Sequence, residues 1–328
     1  MRLELTFFRR GNGRSSFEGL PDVKVVITLF VAPIMVAPAK QPSISQRVFL
    51  VGCPRSGTTL LQSMLMSHPR IESFPESKFF VRGFGGRWRW VVHETLRGWY
   101  LWYLLVRWLV ENDYMTYEEA SNIPVSWSKA RMIEVFRDML DRLAMDSGKD
   151  IWVEKTPRHL QVVEAISEYL PDAKFIHIVR DGRAVSASMY KLAHTNPETW
   201  GQYQSLEAVV QRWNQCVHDT HQCVSKDHHV MVQYKHLVEA PEQELGSLAA
   251  FLEISYDSAM IEQFHREAQH VVKSHESWKE EAMTSSLQNR GLRKFYSVFS
   301  SDERAYVESE IDWTCFRELG NEPLEPVQ

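Results

Sequence analysis

A chain of 328 residues, 44% hydrophobic and 24% charged, is long enough to bury one sizeable core, and it has neither a disordered nor a fibrous composition. Its formal net charge of -5 excludes a global pull toward nucleic acid or anionic membrane, so any anionic ligand must be held by local basic groups. Cys53, Cys216, Cys223 and Cys315 form no CxxC pair and have no zinc-like His spacing, so they read as reduced thiols and no metal is expected.

Residues 1–44 read as an N-terminal extension, disordered or a leader. The apolar run 23–39 follows Arg9, Arg10 and Arg14 and ends in small residues, as a targeting segment does. Lys24, Pro33 and Pro38 interrupt it, and it falls short of the roughly 18–20 apolar residues of a spanning helix. Met35 offers a second start just ahead of the first good strand. The expected location is the cytoplasm, with membrane association through this run as the alternative.

The globular domain is expected over 45–320. Arg47–Gly52 is a short apolar run, and Thr58–Met66 after it has helical spacing, so the pattern is strand, glycine-containing loop, helix. A loop in that setting binds anions through backbone N–H groups and the helix dipole. Gly52-Cys-Pro-Arg-Ser-Gly-Thr-Thr59 is close to the G-x-x-x-x-G-K-[ST] loop of nucleoside-triphosphate enzymes, but Thr58 stands where the lysine belongs. Without that lysine, and with no clean metal-binding Asp after a strand, Arg55, Ser56, Gly57, Thr58 and Thr59 suit an anion carrying less charge than a triphosphate.

Two carboxylates, Glu72 and Glu76, lie in the segment His68–Phe80 that follows. The next stretch, Trp88–Val110, is largely helical, with Trp88, Trp90, Trp99, Trp102 and Trp108 among Arg87, Arg89, Arg97 and Arg107. It reads first as a core-packed helix with snorkelling arginines, and secondly as an acceptor-binding wall or a peripheral membrane contact. Ile151–Val153, Lys174–Val179 and His229–Gln233 are further strands, each leading through a polar loop to a helical segment. Strands alternating with helices predict an α/β fold: a P-loop-like three-layer domain with a central parallel sheet, its ligands beyond the carboxyl ends of the strands.

Glu154-Lys-Thr-Pro157 closes one of these strands and puts Lys155 ahead of a proline-started helix. Arg180 ends another, and Ser188, eight residues on, folds back beside it, so the two can converge on one anion. Arg183 lies between them. Tyr234 follows the last strand. His159 and His194 read as structural.

These motifs resemble those of the PAPS-dependent sulfotransferases, where PAPS is 3'-phosphoadenosine 5'-phosphosulfate. Cys53-Pro-Arg-Ser-Gly-Thr-Thr-Leu-Leu61 resembles the 5'-phosphosulfate loop of the protein-tyrosine and bacterial branches, whereas the cytosolic small-molecule branch has lysine at the Arg55 position. The resemblance covers roughly residues 47–300. It implies a 3'-phosphate site at Arg180 and Ser188, Glu76 as general base with Glu72 as fallback, and Lys155 as the cation at the leaving oxygen. Tyr234 would be a nucleotide contact in a segment where Gln233 and Lys235 replace the usual Arg and Glu. Arg290, Arg293 and Lys294 would lie in a late nucleotide-covering loop.

The implied activity is sulfuryl transfer to a hydroxyl of a glycan, lipid, tyrosine or small molecule, leaving 3'-phosphoadenosine 5'-phosphate (PAP), with no nucleic-acid partner. The segment 81–150 would choose the acceptor, and its tryptophans favour a bulky or apolar one. A magnesium-dependent P-loop kinase and a non-catalytic nucleotide-binding protein are the alternatives. Oligomeric state is not written in these motifs.

Overall fold

The computed structural model describes residues 2–4, 26–28, 43–85, 94–271, 287 and 292–325. The chain divides into two compact units, 1–41 and 42–328. Within the first, β1 (Arg2–Glu4) pairs antiparallel with β2 (Val26–Thr28).

The second unit is built on a five-stranded sheet, β3 (Gln46–Gly52), β4 (Ile71–Phe74), β5 (Ile151–Lys155), β6 (Lys174–Val179) and β7 (His229–Gln233). Its order is β4-β5-β3-β6-β7 and every pairing is parallel. The register matches Leu50 with Lys155, Gly52 with Ile178, Phe74 with Glu154 and Val179 with Gln233, which brings all five carboxyl ends to one edge.

Successive residues of a strand point to opposite faces, and here both faces are buried. Val48, Leu50, Val153, Ile176 and Ile178 join α1 (Thr58–Met66) in one core. Phe49, Val51, Trp152 and Phe175 join the other, with α2 (Phe79–Phe84), α3 (Glu94–Glu111), α4 (Lys129–Asp146), α5 (Gly182–Thr195) and α6 (Leu206–Val224). Near-continuous apolar strands are what a doubly covered parallel sheet requires, and the expected three-layer arrangement is what forms.

Three expected elements coincide with observed ones: the helix Thr58–Met66 and the strands Lys174–Val179 and His229–Gln233. Strand β4, inside the segment His68–Phe80, is not among the expected elements. Ile71-Glu-Ser-Phe74 is four residues long with two polar members and Pro75 behind it, so its apolar signal is weak. It forms because the edge of β5 is available and the Ser73 hydroxyl donates to the Val153 carbonyl at 2.6 Å.

Candidate active site

The phosphate-type loop follows from local chemistry. Gly57, the residue before α1, has φ +97° and Arg55 has φ +74°. Left-handed residues interspersed in a turn make a concavity of inward N–H groups. A non-glycine residue held there costs about 1–3 kcal/mol, a strain that clusters at ligand clamps. A Cβ on Gly57 would fall 2.3 Å from Cδ2 of Tyr234, so that position accepts only glycine. Ser56 is fully buried and its hydroxyl has no partner; Thr58, also buried, is the first residue of α1, and Thr59 follows it.

The second basic site converges on the first. Arg180, just past β6, donates from Nη1 to the Arg55 carbonyl at 3.4 Å, and its guanidinium lies 4.1 Å from the centre of the Tyr234 ring. Its Nε is buried without a partner. Ser188, on the second turn of α5, accepts from Arg55 Nε at 3.2 Å. Tyr234 opens α7 (Tyr234–Glu239) and sits between Gly57 and Arg180, joining the two loops. A cleft of about 300 Å³ flanks Arg180, lined also by Gln233, Tyr234, Phe316, Asn321 and Leu324.

Arg183 has another task. It bonds Asp181 at 2.8 Å, reaches Glu308 at 3.4 Å, donates to the Leu324 carbonyl at 2.6 Å and lies over the Trp313 ring. It ties the C-terminal segment to the Asp181 turn. Gln233, where the resemblance leads one to expect arginine, donates to the Gly320 carbonyl at 2.8 Å and serves the same segment.

Glu76 and Lys155, 79 positions apart, form an ion pair of 2.8 Å at the carboxyl end of β5. Lys155 is almost wholly buried and Glu76 is partly open to solvent. Glu72 lies elsewhere: it is on β4 opposite Trp152, three residues or about 10 Å along the sheet from Lys155, and faces Lys149 at 3.6 Å. The fallback base is thereby removed from the site. His194 is exposed and bonds the Tyr190 carbonyl in its own helix.

The sequence reading gave Glu154 no role. It is fully buried and accepts from Ser77 Oγ at 2.7 Å, Thr156 Oγ1 at 2.7 Å and the Ser77 N–H at 3.2 Å, with His159 Nδ1 at 2.9 Å. Burial pushes its carboxyl up. The charge and hydrogen bond of His159 and the bonds from Thr156 and Ser77 more than offset that, so it ends below its ordinary value. Glu154 thus clamps the residue after Glu76 to the residue after Lys155.

Behind Glu76, Trp108 of α3 is buried and donates to the Pro75 carbonyl at 3.1 Å, while Trp102 donates to the Ile123 carbonyl at 2.8 Å. The core-helix reading holds for both. Trp88, Trp90, Arg87 and Arg89 lie outside the described residues, as does Arg290; Arg293 and Lys294 begin α8 (Arg293–Val298). All four cysteines are free and buried. Cys53, first residue of the anion loop, neighbours Cys216 of α6, and burial, with that thiol beside it, pushes its own thiol well up.

Residues 47–258, well over half of the chain, match the profile described as the sulfotransferase family. The chain belongs to the sulfotransferase family. It is 28% identical over 219 residues to a protein-tyrosine sulfotransferase of Drosophila melanogaster, covering 65% of this chain but 39% of that protein. A putative protein-tyrosine sulfotransferase of Caenorhabditis briggsae is 24% identical over 269 residues, covering 78% of this chain and 83% of that one. Among solved structures, the sulfotransferase domain of the Synechococcus PCC 7002 olefin synthase is similar with a TM-score of 0.53 and 20% identity, covering 84% of this chain and 98% of that one. The fold is therefore the P-loop-like α/β fold of sulfotransferases, with β3 carrying the anion loop at the centre of the sheet.

Proposed function

We propose that this sulfotransferase-family chain transfers a sulfuryl group from PAPS to a hydroxyl of an acceptor, and that residues 45–320 form the catalytic domain. The observation that carries the reading is the Glu76–Lys155 pair, a carboxylate and a cation on the same sheet edge as two converging anion loops. The chain's residues fit the nucleotide. Ser56 Oγ and Arg180 Nε are buried polar atoms without partners, one in each loop, and an anionic ligand would supply the acceptors they lack.

PAPS, when bound, supplies the sulfuryl group and a phosphate as leaving group. Arg55, Ser56, Gly57, Thr58 and Thr59 receive the 5'-phosphosulfate, Arg180 and Ser188 the 3'-phosphate, and Tyr234 packs beside the nucleotide. Glu76 takes the acceptor hydroxyl's proton, and Lys155 donates toward the oxygen on which negative charge develops. In-line displacement puts attacking and leaving oxygens on opposite sides of the sulfur, so the pair opens by the width of that group when both substrates are in place. Arg55, Lys155 and Arg180 supply the cations, so no step calls for a metal.

The relatives' names point to tyrosine as the acceptor to try first. Leu96, Trp99, Val125 and Trp127, exposed in the segment expected to select the acceptor, fit an apolar partner surface. No helix among the described residues is long and apolar enough to cross a membrane. The cytoplasmic reading rests on four free thiols.

Calorimetric titration of the full chain with PAP in metal-free buffer, and separately with ATP and magnesium, tests the reading, together with transfer of label from PAPS to a tyrosine peptide. Tight PAP binding that Arg180→Ala weakens is the expected result. Binding of ATP–magnesium alone would overturn it in favour of a kinase, and tight PAP binding with Glu76→Ala losing binding rather than turnover would favour a non-catalytic protein.

A further inference from the structure

Behind the Arg180 site, α6 packs against α9 (Trp313–Glu318), and their contact places a mixed set of donors together. His221 and Glu318 are exposed, Cys315 is buried, and one ligand atom from each lies within 4.8 Å of the other two. His221 Nε2 is already 3.5 Å from Glu318 Oε2. Beside them, His218 Nε2 meets Asp312 Oδ2 at 3.0 Å, and Asp312 caps α9 by accepting from the Cys315 N–H at 3.0 Å. The spacing is therefore i, i+3 on both helices: His218 and His221 on one, Asp312, Cys315 and Glu318 on the other, so each set lines one helix face.

We infer that His221, Cys315 and Glu318 form a site for one divalent transition-metal ion of the zinc class, with water as fourth ligand, that staples α9 to α6. Four-coordinate zinc with bonds of about 2.0–2.3 Å has ligand atoms about 3.3–3.8 Å apart. From separations within 4.8 Å the three donors need to close by about 1.5 Å at most, and the two exposed side chains can do so by rotation. A thiolate, an imidazole and a carboxylate together suit zinc and exclude magnesium or calcium, which prefer oxygen alone.

The frame is rigid. Asn214 Nδ2 donates to the Glu310 carbonyl at 2.8 Å, the Asp312 N–H donates to Asn214 Oδ1 at 3.0 Å, and the Trp213 ring packs on Phe316 and Trp313. Donors carried on helices so tethered are held in place before the ion arrives. Binding requires the thiolate form of Cys315 and releases its proton.

The staple has a use that does not depend on the reaction proposed above. Past α9 the chain runs to Leu324, whose N–H donates to Asp181 Oδ2 at 2.9 Å, and Trp213 donates to the Arg180 carbonyl at 3.0 Å. An ion at the α6–α9 contact thus fixes the segment that braces the Arg180 turn. The i, i+3 spacing on either helix alone does not announce the site, because its three ligands come from helices far apart in the chain.

The test is titration of chelator-treated full chain with cobalt(II), followed by displacement with zinc. One equivalent of cobalt should give a thiolate charge-transfer band that zinc abolishes. Cys315→Ser should remove the band and Cys223→Ser should leave it. His221→Ala and Glu318→Gln, surface changes that spare the core, should each weaken zinc by about tenfold or more, at least the effect of losing an outer-shell partner. Zinc should raise Tm in the parent chain and not in Cys315→Ser. No band, a band that survives Cys315→Ser, or zinc affinity unmoved by both surface variants would overturn the assignment.

Discussion

The anion loops and the transfer pair share one sheet edge, yet their polar groups are satisfied to different degrees. In the loops, Ser56 Oγ and Arg180 Nε are buried with nothing to bond, and Arg55 is held in a strained backbone conformation. In the transfer region, Lys155 already has Glu76, and Glu154 accepts from Ser77 and Thr156 and pairs with His159. Buried donors without partners at the head of a helix suit an incoming ligand, whereas a carboxylate saturated by its neighbours holds a geometry, even though His159 Nε2 on its far side is itself without a partner. On the proposed reading, binding and positioning are divided between the two regions, and each can be damaged without the other.

The largest expected effect tests that division directly. Glu76→Gln keeps the size of the side chain and removes the proposed base, so kcat should fall by about 10²- to 10⁴-fold. The dissociation constant for PAP, measured by calorimetry, should stay close to the parent value. A parallel loss of PAP affinity would join the two regions into one and end the comparison.

Next comes Glu154→Ala, which deletes the acceptor for Ser77, Thr156 and His159 at a buried position. Removing one member of such a network costs about 3–5 kcal/mol, to be read from the midpoint of urea unfolding. Ser56→Ala, which removes a hydroxyl with no partner in the protein, should leave stability within about 0.5 kcal/mol. The contrast fails if the two variants unfold at the same urea concentration.

Arg180→Ala should weaken PAP by about 10- to 100-fold, the equivalent of losing charge-assisted bonds of about 1.5–3 kcal/mol. Arg180→Lys should recover only part of this, because lysine lacks the planar fork that lies over the Tyr234 ring. Full recovery by lysine would reduce the site to a point charge.

The same division explains what could be read without coordinates. Gly52–Thr59 and Arg180–Ser188 are contiguous segments, in which a strand, a turn and a helix start are all encoded by neighbours, so their residue types and spacing announced the strand-loop-helix setting on which the proposed anion chemistry rests. The convergence of the two through Arg55, Ser188 and Tyr234 depends on the placement of β3 beside β6, which the alternating pattern implies only in outline. Glu76 was singled out by resemblance alone, and the choice between it and Glu72 needed the register of β4, a strand too short to announce itself. Glu154 stood in plain view beside Lys155, but a carboxylate's burial and its partners at Ser77 and His159 are tertiary facts. The Cys53–Cys216 contact was hidden for the same reason.

A smaller effect, on pH dependence, sharpens the comparison because it falls on the strands that carry the anion loops. His177 of β6 stands opposite Val51 of β3 and bonds His229 of β7 at 2.9 Å. Burial, and secondarily the charge of His229, pushes it down to about 3. Free histidine titrates near 6.5. Between the two values the unfolded chain takes up a proton that the folded chain refuses, so this contribution to stability is complete above about pH 6.5 and declines as pH falls toward the folded value. The decline is about 1.4 kcal/mol per pH unit, or about 2 kcal/mol by pH 5. His229, pushed down by burial and by Lys226 and His228, adds a smaller part because it is half-exposed. Urea midpoints at pH 7 and pH 5 should differ by that amount in the parent and by less in His177→Gln, which does not titrate. An equal difference in both would move the acid sensitivity off the anion-loop strands, and Glu154→Gln measured at the same two pH values would show whether it lies in the transfer region instead.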